Sequence, residues 1–404
     1  MAQIADARGL FQRVGRIVII GKRTAFVLII IYASLSGQVS PFIVYSGLDN
    51  LIRQNFDPVR GKKAALFCNH SSQTLAGEHI LDVAEGSALE IAQLFILRDA
   101  AYDSLWPAPE LLEQYKSENY HAIALRKPYL RPYQFRAADY ILLDMQINGT
   151  ADDPVLELLR ILMLIAGRLN MPLIILDRPN YFSAIEMQGP VSSRFEMPFF
   201  HGLSLGESAR YFNYKDHLLE DKLLQIIPLL NYSSKMSPEN YPHLGQFADP
   251  DMKKAQRISN YLPLRLSALS NLKCFFHKET QRLLIYADWL DAQRLHRDLL
   301  RENAGKCGLE LIVLDPGPLS EFSAFSITDE GSIEALFTLF RGAAVMYPNE
   351  FLLSPKRCLQ TFGDDILNRL IVVEKRPVSH ILHYWEPEIR NYQKTISKGA
   401  KLYQ

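Results

Sequence analysis

Five runs of apolar residues, separated by stretches with helical patterning, constrain the fold of this chain more than any other feature. The runs KKAALFCN, LEIAQLFIL, YHAIALR, DYILLDMQ and MPLIILDRP lie at residues 62–69, 89–97, 120–126, 139–146 and 171–179. They are apolar at successive positions, so each strand would be buried on both faces. With helices between them, they predict a parallel sheet covered on both sides, an α/β fold of the Rossmann-like, doubly wound type.

The helix with the clearest signals lies at residues 153–170. Asp153 can cap its first turn and Pro154 suits the first helical position. No GxGxxG run follows an early strand, so the fold prediction implies no nucleotide.

The length of 404 residues predicts two domains behind a short leader. Past about residue 225 the strand candidates become shorter, which indicates a smaller α+β domain. We therefore predict a Rossmann-like domain at 41–225 and a C-terminal α+β domain at 226–404. The net charge is zero, so no basic field points to nucleic acid. The four cysteines are scattered, which gives no metal-binding spacing.

The first 40 residues have the pattern of a targeting segment. Basic residues precede the apolar run AFVLIIIYA at 25–33, and small residues follow it. This pattern predicts a secretory signal, and hence an exported, periplasmic or extracellular protein. An uncleaved membrane anchor and a cytosolic N-terminal helix are the alternatives.

Polar residues end each of the five strands. They are Asn69 to Ser72, Arg98-Asp99, Arg126-Lys127, Asp144 to Gln146, and Asp177 to Asn180. Because ligands of open α/β sheets bind at the carboxyl ends of the strands, we expect these groups to form one site. Each strand-end Asp considered alone is also explained by a loop cap or a salt bridge.

A second cluster follows in FFHGLSLGESARYFN at 199–213. His201, beside a glycine in a loop, is a candidate site residue. Ser204 and Glu207 have the spacing of a capping box, which is the structural alternative to a catalytic Glu207.

These residues carry a resemblance to a known family. DRPN at 177–180, QGPV at 188–191 and HGLSLGESA at 201–209 are similar to a run in the exo-β-N-acetylmuramidase (NamZ-like) family, long catalogued as a domain of unknown function. YSGLDNLI, ALFCNHSSQT, ADYILLDMQINGT and the closing HYWEPEIRNYQKTISKGAKLY resemble further family segments in the same order. The resemblance implies a Rossmann-like domain, a smaller C-terminal domain and a cleft between them. It implies a terminal N-acetylmuramic acid of a peptidoglycan fragment as substrate, and no cofactor.

Several acidic positions of the family pattern are changed. The position of a family Glu after the second strand holds Arg98, and the Glu before a Gly-Pro pair is Gln188, with Glu186 close by. Glycoside hydrolysis normally needs a general acid and a second carboxylate. Arg98 can supply neither, and Gln188 keeps the shape of Glu but cannot transfer a proton.

Two functions follow from this pattern. The first is a muramidase-like glycoside hydrolase with rearranged carboxylates, in which Asp99 or Glu207 is the acid or base and Asp144 stabilises charge. In this reading the substrate is held by the remaining strand-end and loop residues: Asn69, Arg98, Gln146, Asp177, Arg178, Asn180, Gln188 and His201. Arg98 or Arg178 could meet the lactyl carboxylate. The second is a catalytically inactive homologue that binds cell-wall glycan or a protein partner.

Overall fold

The structure is a computed structural model. It describes residues 43–98, 120–124, 130–180, 182, 187–236, 264–280, 282–301, 307–314, 322–328 and 333–403. Val44–Gln404 form one compact unit, and the description below concerns that unit. The predicted targeting segment at 1–40 lies outside the described residues, so export and anchoring stay predictions. In the part that is described, no helix is long and apolar enough to cross a membrane.

A six-stranded parallel sheet forms the first half of the unit and confirms the predicted fold class. Its strands pair in the order β3-β2-β1-β4-β5-β8. The bounds are β1 Lys63–Cys68, β2 Glu90–Arg98, β3 Tyr120–Ala124, β4 Tyr140–Asp144, β5 Leu173–Leu176 and β8 Leu224–Ile227. The strand order reverses between β1 and β4, and a reversal of this kind leaves a crevice at the carboxyl ends of the two strands.

Helices cover both faces of the sheet, because successive residues of each central strand are apolar. On one face, α1 (Gly47–Arg53) and α2 (Ile80–Glu85) pack against alternate residues of β1, β4 and β5. On the other face lie α3 (Pro154–Leu169) and α4 (Leu205–Asp216). The side chain of Asp153 caps α3 and Pro154 occupies its first turn, as the sequence predicts.

A hairpin of β6 (Gln188–Ser192) and β7 (Met197–Phe200) lies between β5 and α4 in the chain. It contributes to two cores. Phe195 and Met197 pack with the parallel sheet, whereas Phe199 and Phe200 belong to the core of the second half.

The second half is a separate domain with an antiparallel sheet of order β11-β12-β10-β9. Its strands are β9 Lys273–His277, β10 Arg282–Tyr286, β11 Leu309–Leu314 and β12 Phe322–Ile327. Its helices are α5 Ala292–Arg301, α6 Ile333–Met346, α7 Pro355–Phe362 and α8 Ile366–Asn368, which continues as a π-helix over Arg369–Val373, and then α9 Val378–His383. Ten of the 14 residues of α6 are buried. The predicted boundary between residues 225 and 226 stays a prediction.

The last helix, α10 (Glu386–Gly399), packs back on the parallel-sheet half. Tyr392, Ile396 and Ala400 are buried in the same core as α3 and α4. The C-terminal residues therefore reach the part of the molecule that holds the strand-end residues.

Candidate functional site

The carboxyl ends of β1 and β4 are joined by hydrogen bonds at the point where the strand order reverses. The Ser72 hydroxyl donates to the main-chain oxygen of Asp144. The main-chain N–H of Gln146 donates to the Ser71 hydroxyl over 2.9 Å, and Ser71 donates in turn to Asn69 Oδ1. Asn69 and Gln146 are both nearly buried. The turn after β1 thus fixes the residues that follow β4.

Arg178, which follows β5, forms a two-point ion pair with Asp144 at the end of β4. Nε lies 2.7 Å from Oδ1 and Nη2 lies 2.9 Å from Oδ2. Burial raises the pKa of Asp144, and the Arg178 guanidinium opposes that rise. Within the described residues Nη1 makes no hydrogen bond, so this nitrogen keeps its capacity to donate to a further acceptor.

The Asp177 carboxylate accepts four hydrogen bonds. Oδ1 accepts from the main-chain N–H groups of Arg178 (2.8 Å) and Gly206 (2.7 Å). Oδ2 accepts from the hydroxyls of Ser204 (2.9 Å) and Tyr403 (2.5 Å). Burial raises the pKa of Asp177 to about 6, and the donors limit the rise. This carboxylate joins the end of β5 to the start of α4 and to the C-terminal residues.

Glu207 closes a capping box at the start of α4, as its spacing from Ser204 predicts. Its Oε2 accepts from the main-chain N–H of Ser204 over 3.1 Å, and the Ser204 hydroxyl accepts from the main-chain N–H of Glu207. Oε1 accepts from the main-chain N–H groups of Leu402 (3.0 Å) and Tyr403 (3.3 Å). Both carboxylate oxygens are therefore bound by the protein's own main chain. The catalytic role predicted for Glu207 stays a prediction.

His201 and Asn180 meet at the loop before α4. Asn180 Nδ2 donates to the main-chain oxygen of Leu203 over 3.0 Å, and the Leu203 N–H donates to His201 Nδ1 over 3.2 Å. With Nδ1 acting as acceptor, the hydrogen of the neutral ring is on Nε2. Burial lowers the pKa of His201 to about 3, which keeps the ring neutral at physiological pH.

Two buried polar atoms of this region have no hydrogen-bond partner among the described residues: His201 Nε2 and Gln146 Oε1. Gln146 Nε2 donates to the main-chain oxygen of Pro179 over 2.6 Å. Pro179 is followed by Asn180, which binds Leu203, and Leu203 binds His201. Gln146 and His201 are therefore connected through these residues. Buried polar atoms are normally paired, and unpaired ones mark positions where a ligand or a water can bind.

The structure brings most of the predicted site residues together. The ends of β1, β4 and β5 and the His201 loop are linked by the contacts above, and Gln188 pairs with Phe200 at the start of β6. Arg98 ends β2, but its side chain, Asp99 and Glu186 lie outside the described residues. Their predicted roles stay predictions.

Sequence reasoning gave no individual role to four residues that build the site: Ser71, Ser72, Tyr392 and Tyr403. The two serines lie in the strand-end run NHSS, but nothing in the sequence distinguishes them from ordinary turn residues. Tyr392 donates to the main-chain oxygen of His201 over 2.9 Å from 191 positions away. Only the fold reveals a contact of that separation.

Chemically, the described part of the site is a polar framework with its charges compensated. Asp144 is paired with Arg178, and Asp177 and Glu207 accept only neutral donors. The atoms left for a ligand are the Arg178 Nη1 donor, the His201 Nε2 donor and the Gln146 Oε1 acceptor. They suit a neutral or anionic ligand that also offers a donor.

Comparisons with known proteins agree with this architecture. The model of the family described as exo-beta-N-acetylmuramidase NamZ, N-terminal, matches residues 64–255. The chain is 18% identical over 376 residues to the peptidoglycan beta-N-acetylmuramidase NamZ of Bacillus subtilis (strain 168), covering 88% of this chain and 90% of that protein.

Two solved structures of DUF1343 family proteins from Bacteroides fragilis NCTC 9343 share the fold. One superposes with a TM-score of 0.65 at 18% identity, the other with 0.61 at 15% identity. Each comparison covers 89% of this chain and 99% of the other. The family match over the strand-end residues and the distant relative along most of the chain support the resemblance to the NamZ-like family, as a divergent member, and the solved structures show the same fold.

Proposed function

We propose that this protein binds a terminal N-acetylmuramic acid residue of a peptidoglycan fragment at the carboxyl edge of its parallel sheet and hydrolyses the glycosidic bond. The observation that carries the proposal is the convergence of the ends of β4 and β5 and the His201 loop on one hydrogen-bonded network. The family relationship supplies the substrate class.

The unpaired atoms of that network fit the functional groups of this sugar. An acetamido group offers one N–H donor and one carbonyl acceptor. Gln146 Oε1 can accept the first and His201 Nε2 can donate to the second. Arg178 Nη1 is a donor for a carboxyl oxygen of the lactyl group, which is an acceptor both as the free carboxylate and as the amide carbonyl of a muramyl peptide. Each of these sugar groups would then form a hydrogen bond with a polar atom that has no partner in the protein.

Hydrolysis needs a carboxyl group that can give up and regain a proton. Asp144 accepts both of its hydrogen bonds from Arg178, and both oxygens of Glu207 accept from main-chain N–H groups. The hydrogen bonds hold both carboxylates in place, which suits a structural role better than proton transfer. We therefore assign the acid or base role to Asp99, beside the position where the family pattern has a Glu.

A second candidate function is glycan binding without hydrolysis. The observation that favours it is that Asp144, Asp177 and Glu207 are all held by internal hydrogen bonds. In addition, Arg98 occupies the position of a family Glu. In this case the network would still recognise the sugar, and the glycan would stay intact.

The test combines turnover and binding. Release of nitrophenol from a 4-nitrophenyl β-N-acetylmuramoside is measured for the wild type, Asp99→Asn and Glu207→Gln, and binding of muramyl dipeptide is measured by calorimetry. We expect turnover in the wild type, a loss of about 10²-fold or more in Asp99→Asn, and a smaller loss in Glu207→Gln. Asp57→Asn, at an exposed site, is the control for removing a carboxylate.

The outcomes separate the two functions. Muramyl dipeptide binding by a wild type that releases no nitrophenol would support the second function. Undiminished turnover in Asp99→Asn would reject the assignment of Asp99, and a wild type that neither binds nor cleaves would reject both functions.

We also propose that the protein is exported, on the basis of the basic and apolar pattern of residues 13–33. The proposed substrate is a cell-wall fragment, so the site must meet it where such fragments are released. Fractionation of cells that express the full chain tests this: recovery only with the cytosolic fraction would contradict export.

A further inference from the structure

The C-terminal residues contact the proposed site at three places. Tyr392 on α10 donates to the main-chain oxygen of His201 over 2.9 Å. Beyond the helix, the main-chain N–H groups of Leu402 and Tyr403 donate to Glu207, and the Tyr403 hydroxyl donates to Asp177. Residues about 200 positions away in sequence thus hold three of the predicted site residues.

The side chain of Tyr403 is held by contacts on several sides. Its ring packs edge-on against Tyr232 with 5.0 Å between the ring centroids, beside Val44 and Leu229. Its hydroxyl accepts from the main-chain N–H of Leu229 over 2.9 Å and donates to Asp177 over 2.5 Å. The hydroxyl therefore has one donor and one acceptor, and its direction is fixed by both.

The position of Asp177 in turn affects the residues proposed to bind the ligand. Its other oxygen accepts from the main-chain N–H of Arg178, the residue that binds Asp144, and from Gly206 at the start of α4. A shift of the Asp177 carboxylate would turn the Arg178 main chain and the start of α4 together. The charged and titratable groups around Asp177 are Arg178 on its own segment, Glu207 on α4 and Tyr403.

We propose that Tyr403 is a positioning residue of the site: by holding the Asp177 carboxylate it sets the direction of Arg178 and the start of α4, and so the affinity for the sugar ligand. The identity of the ligand rests on the proposed function, whereas the effect of Tyr403 on Asp177 does not. Tyr403 does not touch the ligand in this proposal and acts through Asp177.

Tyr403→Phe is the direct test, since it keeps the ring against Tyr232 and removes only the hydroxyl. We expect the variant to fold and to bind muramyl dipeptide about tenfold more weakly, because one donor to a buried carboxylate is lost. Tyr214→Phe is the matched control. Tyr214 packs against Gly399 of α10, and its hydroxyl makes no hydrogen bond within the described residues. This control should bind as the wild type does.

The pH dependence gives a readout that loss of packing alone would not change. Burial raises the folded pKa of Asp177 above its ordinary value, so the folded chain loses stability as pH rises from about 4 towards 6. The Tyr403 donor opposes this loss because it favours the ionised carboxylate. Without the donor, the stability gap between wild type and variant should widen as pH rises from 5 to 8.

The proposal and the proposed function can fail separately. A wild type that does not bind muramyl dipeptide rejects the proposed function, while the pH-dependent gap still tests the step through Asp177. A gap that stays constant with pH, or a folded Tyr403→Phe with wild-type affinity, overturns the positioning role. Should Tyr403→Phe not fold, Asp177→Asn probes the same step, since an amide in place of the carboxylate has only one acceptor oxygen for the donors on the two sides of Asp177. Wild-type affinity in that variant overturns the proposal.

Discussion

Arg178 and Asp144 form an ion pair in which both side chains are buried, with 1% and 0% of their surfaces exposed. The pair joins the ends of two neighbouring parallel strands at the crevice. The desolvation of two charges is compensated only by good geometry and by further hydrogen bonds. Two hydrogen bonds, of 2.7 and 2.9 Å, join separate nitrogens of Arg178 to separate oxygens of Asp144, so the guanidinium is held in one orientation.

Removing one partner of this pair should be far more costly than removing both. We expect Arg178→Met to lower the free energy of unfolding by about 3–5 kcal/mol, because it leaves the Asp144 carboxylate buried without a counter-charge. The double variant Asp144→Leu/Arg178→Met should recover most of that loss. Urea unfolding measures both variants.

An exposed ion pair provides the control. Glu220 and Lys222 are more than half exposed, and Glu220→Gln should change stability by less than about 1 kcal/mol. A double variant no more stable than Arg178→Met would contradict the account of the pair as a compensated charge.

His201 should make the folded protein sensitive to acid. Its folded pKa of about 3 lies below the ordinary value, so its contribution is complete above about pH 6.5 and is lost as pH falls towards 3. At pH 5 the loss from this one ring should be about 2 kcal/mol. In His201→Asn the amide oxygen can replace Nδ1 as acceptor for Leu203, and this component should vanish.

The measurement is urea unfolding at pH 7.5 and pH 5 for wild type and His201→Asn. His217→Asn is the matched control for removing a histidine, since His217 is exposed and its left-handed backbone suits Asn. Equal losses between the two pH values in wild type and His201→Asn would mean that another group causes the acid sensitivity.

Gly149 should be irreplaceable because of Asn180. Its φ is +91°, and a Cβ there would lie 2.0 Å from Asn180 Oδ1. Gly77 has a φ of +88° with no atom within 4 Å of the same position, so Gly77→Ala measures backbone strain alone, about 1–2 kcal/mol. Gly149→Ala should cost about 1–3 kcal/mol more, since Asn180 must move. Equal thermal denaturation midpoints for the two variants would refute the steric argument.

The Ser204 side chain should contribute more to the free energy of unfolding than an ordinary N-cap does. Its hydroxyl accepts from Glu207 N–H and also donates to the buried Asp177 carboxylate. Ser354 caps α7 through one bond to Arg357 N–H, so Ser354→Ala should cost about 1 kcal/mol. Ser204→Ala should cost roughly 1.5–3 kcal/mol more, the range for a hydrogen bond to a charged group. Similar unfolding free energies for the two alanine variants would mean that the bond to Asp177 contributes little.

The sequence predicted the parallel sheet because its signal is local. Each central strand is a run of consecutive apolar residues, and the cap at Asp153 and the capping box at Ser204 need only neighbouring residues. The sixth strand, Leu224–Ile227, was not predicted, since its four residues follow a short 3₁₀ turn and carry no period of their own.

The sequence predicted that the strand-end residues lie close together, but it did not predict their hydrogen-bond partners. Strand-end residues meet in any parallel sheet, so the grouping of Asn69, Asp144 and Asp177 follows from topology. The partners of Asp177 and Glu207 do not, because Tyr403 and Leu402 are brought there by a helix that returns from the second domain. Nothing in the local sequence separates a carboxylate available to a ligand from one bound to a distant main chain.

The return of α10 to the first sheet has a consequence for how this protein is made. On the ribosome, the parallel-sheet half emerges first, yet its core lacks Tyr392, Ile396 and Ala400 until α10 has left the exit tunnel. Until then Asp177 and Glu207 each lack donors that the finished protein supplies. A nascent chain would therefore form the parallel strands well before the site residues have all their partners, and the complete site would form only after residues 392–403 have emerged.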